Sequence, residues 1–441
     1  MAKINIAVIG AGPTALISFL ELQKLGFEVT IIAPPKKSYK RNYQISNLTK
    51  IIKKDRISKD FIYSKFSKNL EVKQSRTNFL ETPAMGGLSN IWGGICFPQS
   101  KIEDNLTYIS SNEKKQITSY LVKFLNISNT NSQLWKFFEH SYSSKRIVKA
   151  PPSVAILEGH VWNAAPIFDK IDKSKIVFGE AVSIKPHNKQ LKISILASDK
   201  LHYKVFDRVF VACGPIGDAK LILNSIPDNS QLEIKDSSTE YHLLFRFSKS
   251  KKLATLMIPS ECAVFLGDHN QIKAYAQIYP MSQQLAESII FWRSNFITKY
   301  FCKIMSNFFF AAIVFYPEII SKSFVLKKTI KGFAAHTEKE SYKVKQKRKI
   351  EKLRQKSFRE LGYRPTHVKI RNKPGSGLHS GAFLFNGKFD YGRCPGAGTE
   401  FNNVHFLGAS TLPNIPAGPV TFVALINCIY TVRRVVKDLM T

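Results

Sequence analysis

Lys3-Ile4-Asn5-Ile6-Ala7-Val8-Ile9-Gly10-Ala11-Gly12-Pro13-Thr14-Ala15 is the stretch that most restricts what this chain can fold into. The apolar run from Ile4 to Ile9 reads as a buried parallel strand, and from Thr14 to Leu25 the apolar spacing becomes helical. Gly10 and Gly12 let the backbone turn tightly and come close to a pyrophosphate. The free N–H groups and the positive dipole end of the helix would face that phosphate. A GxGxxA string alone is weak evidence. Placed between a strand and a helix, it predicts a dinucleotide site at Gly10, Gly12, Pro13, Thr14 and Ala15. The strand leaves no room before it for a targeting segment, so a cytoplasmic protein is expected.

A chain of 441 residues has enough material for two or three domains around a large core. Lys and Arg number 65 against 32 Asp and Glu, a net charge of +33. A/T-rich coding explains abundant Lys, Ile, Asn and Phe but not a shortage of Glu, so the imbalance reads as surface chemistry. It favours anionic lipid, nucleic acid or an anionic substrate, without choosing among them. The six cysteines are scattered with no CxxC and no histidine at zinc spacing, and Cys213 and Cys428 sit inside apolar runs. Reduced buried thiols, no structural disulfide and no metal are expected.

Phe27 to Ala33 reads as a second strand. An acidic residue is expected at its end to bond ribose hydroxyls, yet the chain has Ala33 followed by Pro34, Pro35, Lys36 and Lys37. Lys36 or Lys37 would suit a ribose phosphate, which keeps an NADP-type site open. Residues 36–76 are basic and polar, a long surface excursion.

Three further segments carry signals. Thr82-Pro83-Ala84-Met85-Gly86-Gly87-Leu88-Ser89-Asn90-Ile91-Trp92-Gly93-Gly94 holds four glycines in nine residues, too many for a helix or an ordinary strand. Such a loop can press its backbone on a flat ring or phosphate while Ser89 and Asn90 donate hydrogen bonds. Phe206 to Leu223 reads as strand, Gly214, then helix, after a small β-meander over Lys175–Ile184 and Gln190–Ala197. Near the C-terminus, Val404–Leu407 reads as a strand and Gly408 to Pro419 as a turn-rich loop. Val420 to Leu439 then reads as a long helix. Upstream, His379 sits among small residues in Gly375-Ser376-Gly377-Leu378-His379-Ser380-Gly381-Ala382.

Together these stretches resemble the glucose–methanol–choline oxidoreductase family, which implies a FAD-dependent enzyme acting on alcohols. Gly10 to Ala15 is similar to its FAD fingerprint. Gly86, Gly87, Ser89, Asn90, Trp92, Gly93 and Gly94 are similar to its flavin loop. Ala212 and Gly214 fall in its hhhAxGxxxxxxLLL element, and Ala181-Val182 resembles its adenine-contacting strand. Gly408, Ala409, Ser410, Pro419, Val420 and Thr421 are similar to its C-terminal flavin-binding loop and helix. His379 stands where the family has its active-site histidine segment. The likeness is greatest to divergent members associated with bacterial surface-polysaccharide synthesis, which carry a similar LPxIPAGPxTF stretch. It covers residues 1–100, 175–225 and 375–441 and little between. The family's second His or Asn, shortly after the loop proline, is matched here by Gly418.

The resemblance implies an α/β fold. A discontinuous, Rossmann-like, doubly wound FAD-binding domain occupies 1–110, 175–228 and 375–441. Residues 111–174 form a helical or loop excursion, and 229–374 an inserted α+β substrate domain on an antiparallel sheet. Alcohol oxidation needs a base for the hydroxyl proton, and an imidazole suits that at neutral pH. His379 is the expected catalytic residue, while His405, inside a strand, reads as structural.

In the middle, Tyr241–Phe247, Ala254–Ile258 and Ile272–Tyr279 alternate as strands. The uncharged run Ile304 to Tyr316 is too short to span a bilayer. It reads as a core helix, with a lid or an interfacial helix as alternatives. The basic run within Lys327–Arg371 reads as a solvated helix face or a dock for anionic lipid. The expected substrate is a small molecule or glycan, with an alcohol, a sugar and a lipid-linked intermediate as candidates, handled in the cytoplasm or on the inner membrane face. A flavin- or nucleotide-binding scaffold and an NAD(P)-type dehydrogenase remain alternatives. No RNA-recognition module is visible, so nucleic acid is not an expected partner. Oligomeric state is not legible.

Overall fold

The structure is a computed structural model. It describes residues 4–34, 72–74, 82, 84–90, 92, 94–96, 106–129, 147–150, 153–157, 160–226, 229–247, 262–268, 271–280, 308–321, 323–330, 332–337, 344–371, 380–395 and 397–440. His379, Gly93, Lys36, Lys37 and the predicted strand Ala254–Ile258 lie outside the described residues.

Five parallel strands form the central sheet, in the order Val404–Phe406, Arg208–Val211, Asn5–Ile9, Glu28–Ala33, Ile176–Phe178. Both faces are covered, and the alternation along Asn5–Ile9 shows how. Ile6 and Val8 pack with helices Pro13–Lys24, Ser111–Phe124 and Thr421–Met440. Ala7 and Ile9 point the other way, toward helix Gly214–Ser225 and the meander Glu180–His187, Gln190–Ala197, Lys200–Phe206. A strand buried on both faces must be apolar throughout, which is what Ile6 to Ile9 provides.

A six-stranded antiparallel sheet follows the order Arg364–Arg371, Thr239–Phe245, Phe309–Phe315, Gln271–Pro280, Cys262–Asp268, Ile147–Ala150. Tyr275 and Phe315 on one face join the core shared with Leu412 and Ile415 of the C-terminal loop. Ala276, Phe310, Ala312 and Val314 on the other pack against Ile350, Phe358 and Leu361 of the Val344–Glu360 helix and its end. The 304–316 run is therefore corrected: its described part is not a helix but the strand Phe309–Phe315. With apolar neighbours on both faces, it shows no alternation to mark it as a strand.

A third sheet has the order Ser380–Gly381, Gln231–Asp236, Phe324–Thr329, Gly332–Thr337, Val72–Gln74. It ties the segment just after His379 to Asp236 and brings residues 72–74 of the basic excursion to its edge. The 111–174 excursion contributes more than helix and loop. Its strands Ile127–Asn129, Ser153–Leu157 and His160–Val161 form a small sheet with Ile95–Cys96, and Ile147–Ala150 joins the six-stranded one.

Candidate functional site

The loops that leave the C-terminal ends of three parallel strands meet at one place. Gly10, with φ +129°, turns directly beneath Ala212; an added Cβ would stand 2.3 Å from the Ala212 carbonyl oxygen. Its N–H donates to the Ile32 carbonyl at 2.9 Å, and the Ala212 N–H to the Ile9 carbonyl at 2.8 Å. Helix Pro13–Lys24 begins at Gly12 with no side-chain cap and with proline in its first turn, and helix Gly214–Ser225 begins the same way at Cys213. Apart from the Cys213 N–H, which a side-chain carboxyl accepts, their first N–H groups have no side-chain cap. Among the described residues, an added Cβ at Gly12 or Gly214 would meet no heavy atom within 4 Å. Two uncapped helix starts facing open space at neighbouring strand ends fit a phosphate-bearing cofactor.

The second glycine loop closes over this turn. The Gly86 N–H donates to the Ala11 carbonyl at 2.8 Å, and a Cβ at Gly87 would lie 3.1 Å from the Gly12 Cα. Ser89 and Asn90, expected to donate to a ring or phosphate, have their donors engaged inside the loop. The Ser89 hydroxyl donates to the Gly86 carbonyl at 2.5 Å, and the Asn90 amide to the Met85 and Gly87 carbonyls at 2.8 and 2.9 Å. Asn163, a residue the sequence reading missed, donates to the Asn90 Oδ1 at 2.7 Å and accepts from the Ala165 N–H at 2.9 Å. Trp92 donates its indole N–H to the Trp162 carbonyl at 2.6 Å, the two rings meeting edge to face. Gly94 accepts from the Ala155 N–H at 2.8 Å. These side chains shape the loop, and its backbone is what remains to face a ligand.

The C-terminal loop completes the ring of contacts. A Cβ at Gly408 would meet the Thr14 Cγ2 at 3.0 Å. The Asn427 amide donates to the Gly408 carbonyl at 3.1 Å and to the Thr411 hydroxyl at 2.8 Å, while its Oδ1 accepts from the Tyr108 hydroxyl at 2.7 Å. Asn427 lies within the helix that Pro419 and Val420 lead into and Thr421 begins. An asparagine inside that apolar run was the available signal for this role.

The segment following His379 is threaded against the same loop. Gly381, at φ +151°, would place a Cβ 2.2 Å from the Ala409 carbonyl oxygen, so no side chain fits. The Ala382 N–H donates to the Ala409 carbonyl at 2.8 Å, and the Phe383 and Leu384 N–H groups donate to the Ser410 carbonyl at 3.2 and 3.1 Å. The Ser380 hydroxyl is buried with no hydrogen-bond partner among the described residues. His379 immediately precedes it in the sequence.

Asp218, also missed, is a buried carboxyl group of the site. Its carboxylate accepts from the Cys213 N–H at 2.8 Å and from the Ser410 hydroxyl at 2.5 Å. Burial raises its pKa to about 8 against the lowering by those two bonds. An acid amid the apolar residues of the helix after Gly214 was the signal. Val182 falls at a break in the meander ladder: Ala181 pairs with Ile195 and Ser183 with Ser194. Ala33 is fully buried, and it is Ala33 that ends the strand. Gly418, with φ +141°, offers no side chain to the loop. His405 lies in the sheet, its ring against Phe210 and its Nδ1 2.8 Å from the Tyr391 carbonyl. Burial lowers its pKa to about 3.

No family model and no curated protein matches the chain by sequence. Among solved structures, it is similar to pyridoxine 4-oxidase from Mesorbium loti, with a TM-score of 0.65 and 12% identity. The match covers 98% of this chain and 99% of that one. The likeness is one of fold, and it extends over the parallel α/β domain and the inserted antiparallel sheets alike. The chain has the architecture expected from the family resemblance.

Proposed function

We propose that this chain is a FAD-dependent oxidoreductase that oxidises a CH–OH group. One observation carries the reading: four glycine-bearing segments distant in sequence, around Gly10–Gly12, Gly86–Gly87, Gly214 and Gly408, converge on open space at two uncapped helix starts. The fold shared with pyridoxine 4-oxidase over nearly the whole of both chains supports it.

When bound, FAD supplies a hydride acceptor. The helix starts at Gly12 and Cys213 would hold its phosphates, and the Gly86–Gly94 and Gly408–Thr411 loops its rings. His379 takes the proton of the substrate hydroxyl, which makes departure of hydride from the adjacent carbon favourable. Ser380 and Gly381, paired with Asp236 and Lys235 and followed by Ala382–Leu384 bonded to the Ala409–Ser410 backbone, hold the chain on which His379 is carried. The expected substrate class is an alcohol, sugar or lipid-linked glycan intermediate, in keeping with the LPxIPAGPxTF resemblance.

Purified protein should be yellow, with a flavin absorption spectrum. His379→Ala should keep the colour but lose bleaching by a substrate alcohol. Folded, colourless protein that takes up no added FAD refutes the cofactor reading. A His379→Ala variant bleached at the normal rate refutes the base. The missing side chain at Gly418 favours a second reading, a flavin-binding protein without alcohol chemistry. That reading predicts stable yellow protein that no alcohol or sugar in a broad screen bleaches.

A further inference from the structure

We infer that Glu318, on the turn that follows strand Phe309–Phe315, is the positioning residue that fixes the 413–419 loop beside the candidate cofactor site. This loop leads from the Gly408–Thr411 turn toward the Thr421–Met440 helix and contains Gly418. The inference rests on the proposed function only for what the loop is positioned to serve. The clamp itself is a contact within the protein.

Three of the seven loop residues, Pro413, Pro416 and Pro419, have no N–H to donate. Residues 415–418 are nevertheless buried. Buried backbone is normally held by hydrogen bonds, and among the described residues those of this loop go to one partner. The Ile415 N–H donates to the Glu318 Oε2 at 2.7 Å, and the Ile415 carbonyl accepts from the Glu318 N–H at 3.2 Å. The N–H groups of Ala417 and Gly418 have no hydrogen-bond partner among the described residues. They are what the loop has to offer a ligand at the point where Gly418 supplies no side chain. Their placement follows from that of Ile415, two residues before Ala417.

Glu318 is itself held in place. The Tyr316 N–H donates to the Ser238 carbonyl at 3.0 Å, and the Ser237 hydroxyl donates to the Tyr316 carbonyl at 2.7 Å. The Ser321 hydroxyl donates to the Pro317 carbonyl and accepts from the Ser238 N–H, both at 2.8 Å. Ser237 and Ser238 follow directly on Asp236, which pairs with Ser380. One braced turn therefore relates the six-stranded sheet, the segment after His379 and the 413–419 loop. Leu412 and Ile415 also share a core with Tyr275 and Phe315 of that sheet. Apolar contact is non-directional and leaves the loop free to slide, whereas the paired bonds between Ile415 and Glu318 set its register.

The test compares Glu318→Ala, which removes the acceptor, with Glu318→Gln, which keeps a side-chain oxygen for the Ile415 N–H. Tyr316→Phe is the control: it removes the bond from the Tyr316 hydroxyl to Glu240 beside the same turn and leaves the clamp intact. Amide hydrogen exchange of the full-length apoprotein reads the clamp. Peptides covering residues 412–420 should exchange at least ~10-fold faster in Glu318→Ala, because a bond to a charged acceptor is lost. Glu318→Gln and Tyr316→Phe should stay near the parent rate. The visible circular dichroism of bound FAD reads the surroundings of its rings. It should change in Glu318→Ala and return to the parent form in Glu318→Gln, with FAD affinity within ~5-fold throughout because the helix starts hold the phosphates. Glu318→Asp, whose shorter side chain cannot span the 2.7 Å contact, serves the same comparison if Glu318→Ala does not fold. The inference is overturned by parent-like loop exchange in Glu318→Ala, by equal acceleration in Glu318→Gln or Tyr316→Phe, or by unaltered dichroism of FAD in Glu318→Ala. A parent protein that binds no FAD refutes the proposed function instead, and the exchange rates then decide the clamp.

Discussion

The Ser410 hydroxyl donates to the buried carboxylate of Asp218, 192 residues away in sequence, and this contact joins the loop after the Val404–Phe406 strand to the helix after Arg208–Val211. The other Asp218 oxygen accepts from the Cys213 N–H, at the turn that carries Gly214. One side chain thereby sets the relative position of two of the four segments that form the candidate cofactor site. Removing it would strand two polar hydrogens at once, at about 1–3 kcal/mol each.

Asp218 should make the protein less stable as pH rises. Its folded pKa, about 8, lies above the model-compound value of 3.8 because burial disfavours the anion. Between those values the folded state holds a proton that the unfolded state has released. Stability therefore falls with increasing pH across that window, by at most about 1.4 kcal/mol per unit. Asp218→Asn keeps an acceptor for the Cys213 N–H and removes the titration. Urea midpoints should decline between pH 6.5 and 8 in the parent and stay level over that range in Asp218→Asn. Parallel profiles would show that Asp218 is ionised in the folded protein.

His405 works in the opposite direction. Its neutral Nδ1–H donates to the Tyr391 carbonyl, and its Nε2 is buried without a partner among the described residues. Burial first, then Arg208 and Arg393, depress its pKa from 6.5 to about 3. Below pH 6.5 the unfolded chain takes up a proton that the folded one refuses, so this group lowers stability as pH falls from 6.5 to about 3. Between pH 4 and 6.5 the slopes of His405 and Asp218 cancel, and above 6.5 Asp218 acts alone. Asp218→Asn should thus unmask a stability that rises with pH between 4 and 6.5, absent from the parent profile. His405→Phe in the Asp218→Asn background should flatten it.

Gly10 and Gly12 separate folding from binding. A Cβ at Gly10 collides with the Ala212 backbone at a φ that L residues avoid, so Gly10→Ala should cost at least about 3 kcal/mol of stability. At Gly12 no heavy atom of the described residues lies within 4 Å of a Cβ. Gly12→Ala should leave the apoprotein melting curve within about 0.5 kcal/mol of the parent. It should weaken FAD binding at least ~10-fold, because the methyl would occupy the space facing the uncapped helix start. Titration of apoprotein with FAD, alongside its urea curve, measures both effects. Unchanged affinity in Gly12→Ala would remove the pyrophosphate from this turn.

The legible parts of the chain were those whose local pattern and tertiary role agree. Strand, glycine turn and helix at 4–25 and again at 206–223 were read close to their final bounds, because each buries a patterned face on the same sheet. The Phe309–Phe315 strand was misread because Tyr275 and its neighbours cover one face and the Val344–Glu360 helix the other, leaving no polar residue to mark a period of two. Asn163, Asp218 and Asn427 were missed for a different reason. Each bonds to backbone or side chains that are far away in sequence, and no local spacing announces such a partner. Ser89 and Asn90 were recognised as important polar residues, but composition could not say whether they would turn outward to a ligand or inward to their own loop.

Arg354 is the one inward cation among the described side chains of the Val344–Glu360 helix, and its replacement tests what holds that helix in place. Its Nη1 lies 3.1 Å from the Glu240 Oε2 and 2.8 Å from the Tyr316 hydroxyl, and that hydroxyl donates to the same Glu240 oxygen at 2.8 Å. His242 Nε2 is 3.3 Å from it. All four side chains are buried, so replacing Arg354 leaves a carboxylate in a poorly solvated site with weaker compensation. Arg354→Leu should destabilise by about 3–5 kcal/mol, whereas Tyr316→Phe, which removes one hydrogen bond and leaves the ion pair, should cost about 1–2 kcal/mol. The double variant Glu240→Gln, Arg354→Leu should recover a large share of the loss, since no weakly compensated carboxylate remains buried. Urea denaturation of the three variants decides it. If the double variant proves no more stable than Arg354→Leu alone, the cost comes from lost packing at the helix and not from the loss of the Glu240 ion pair.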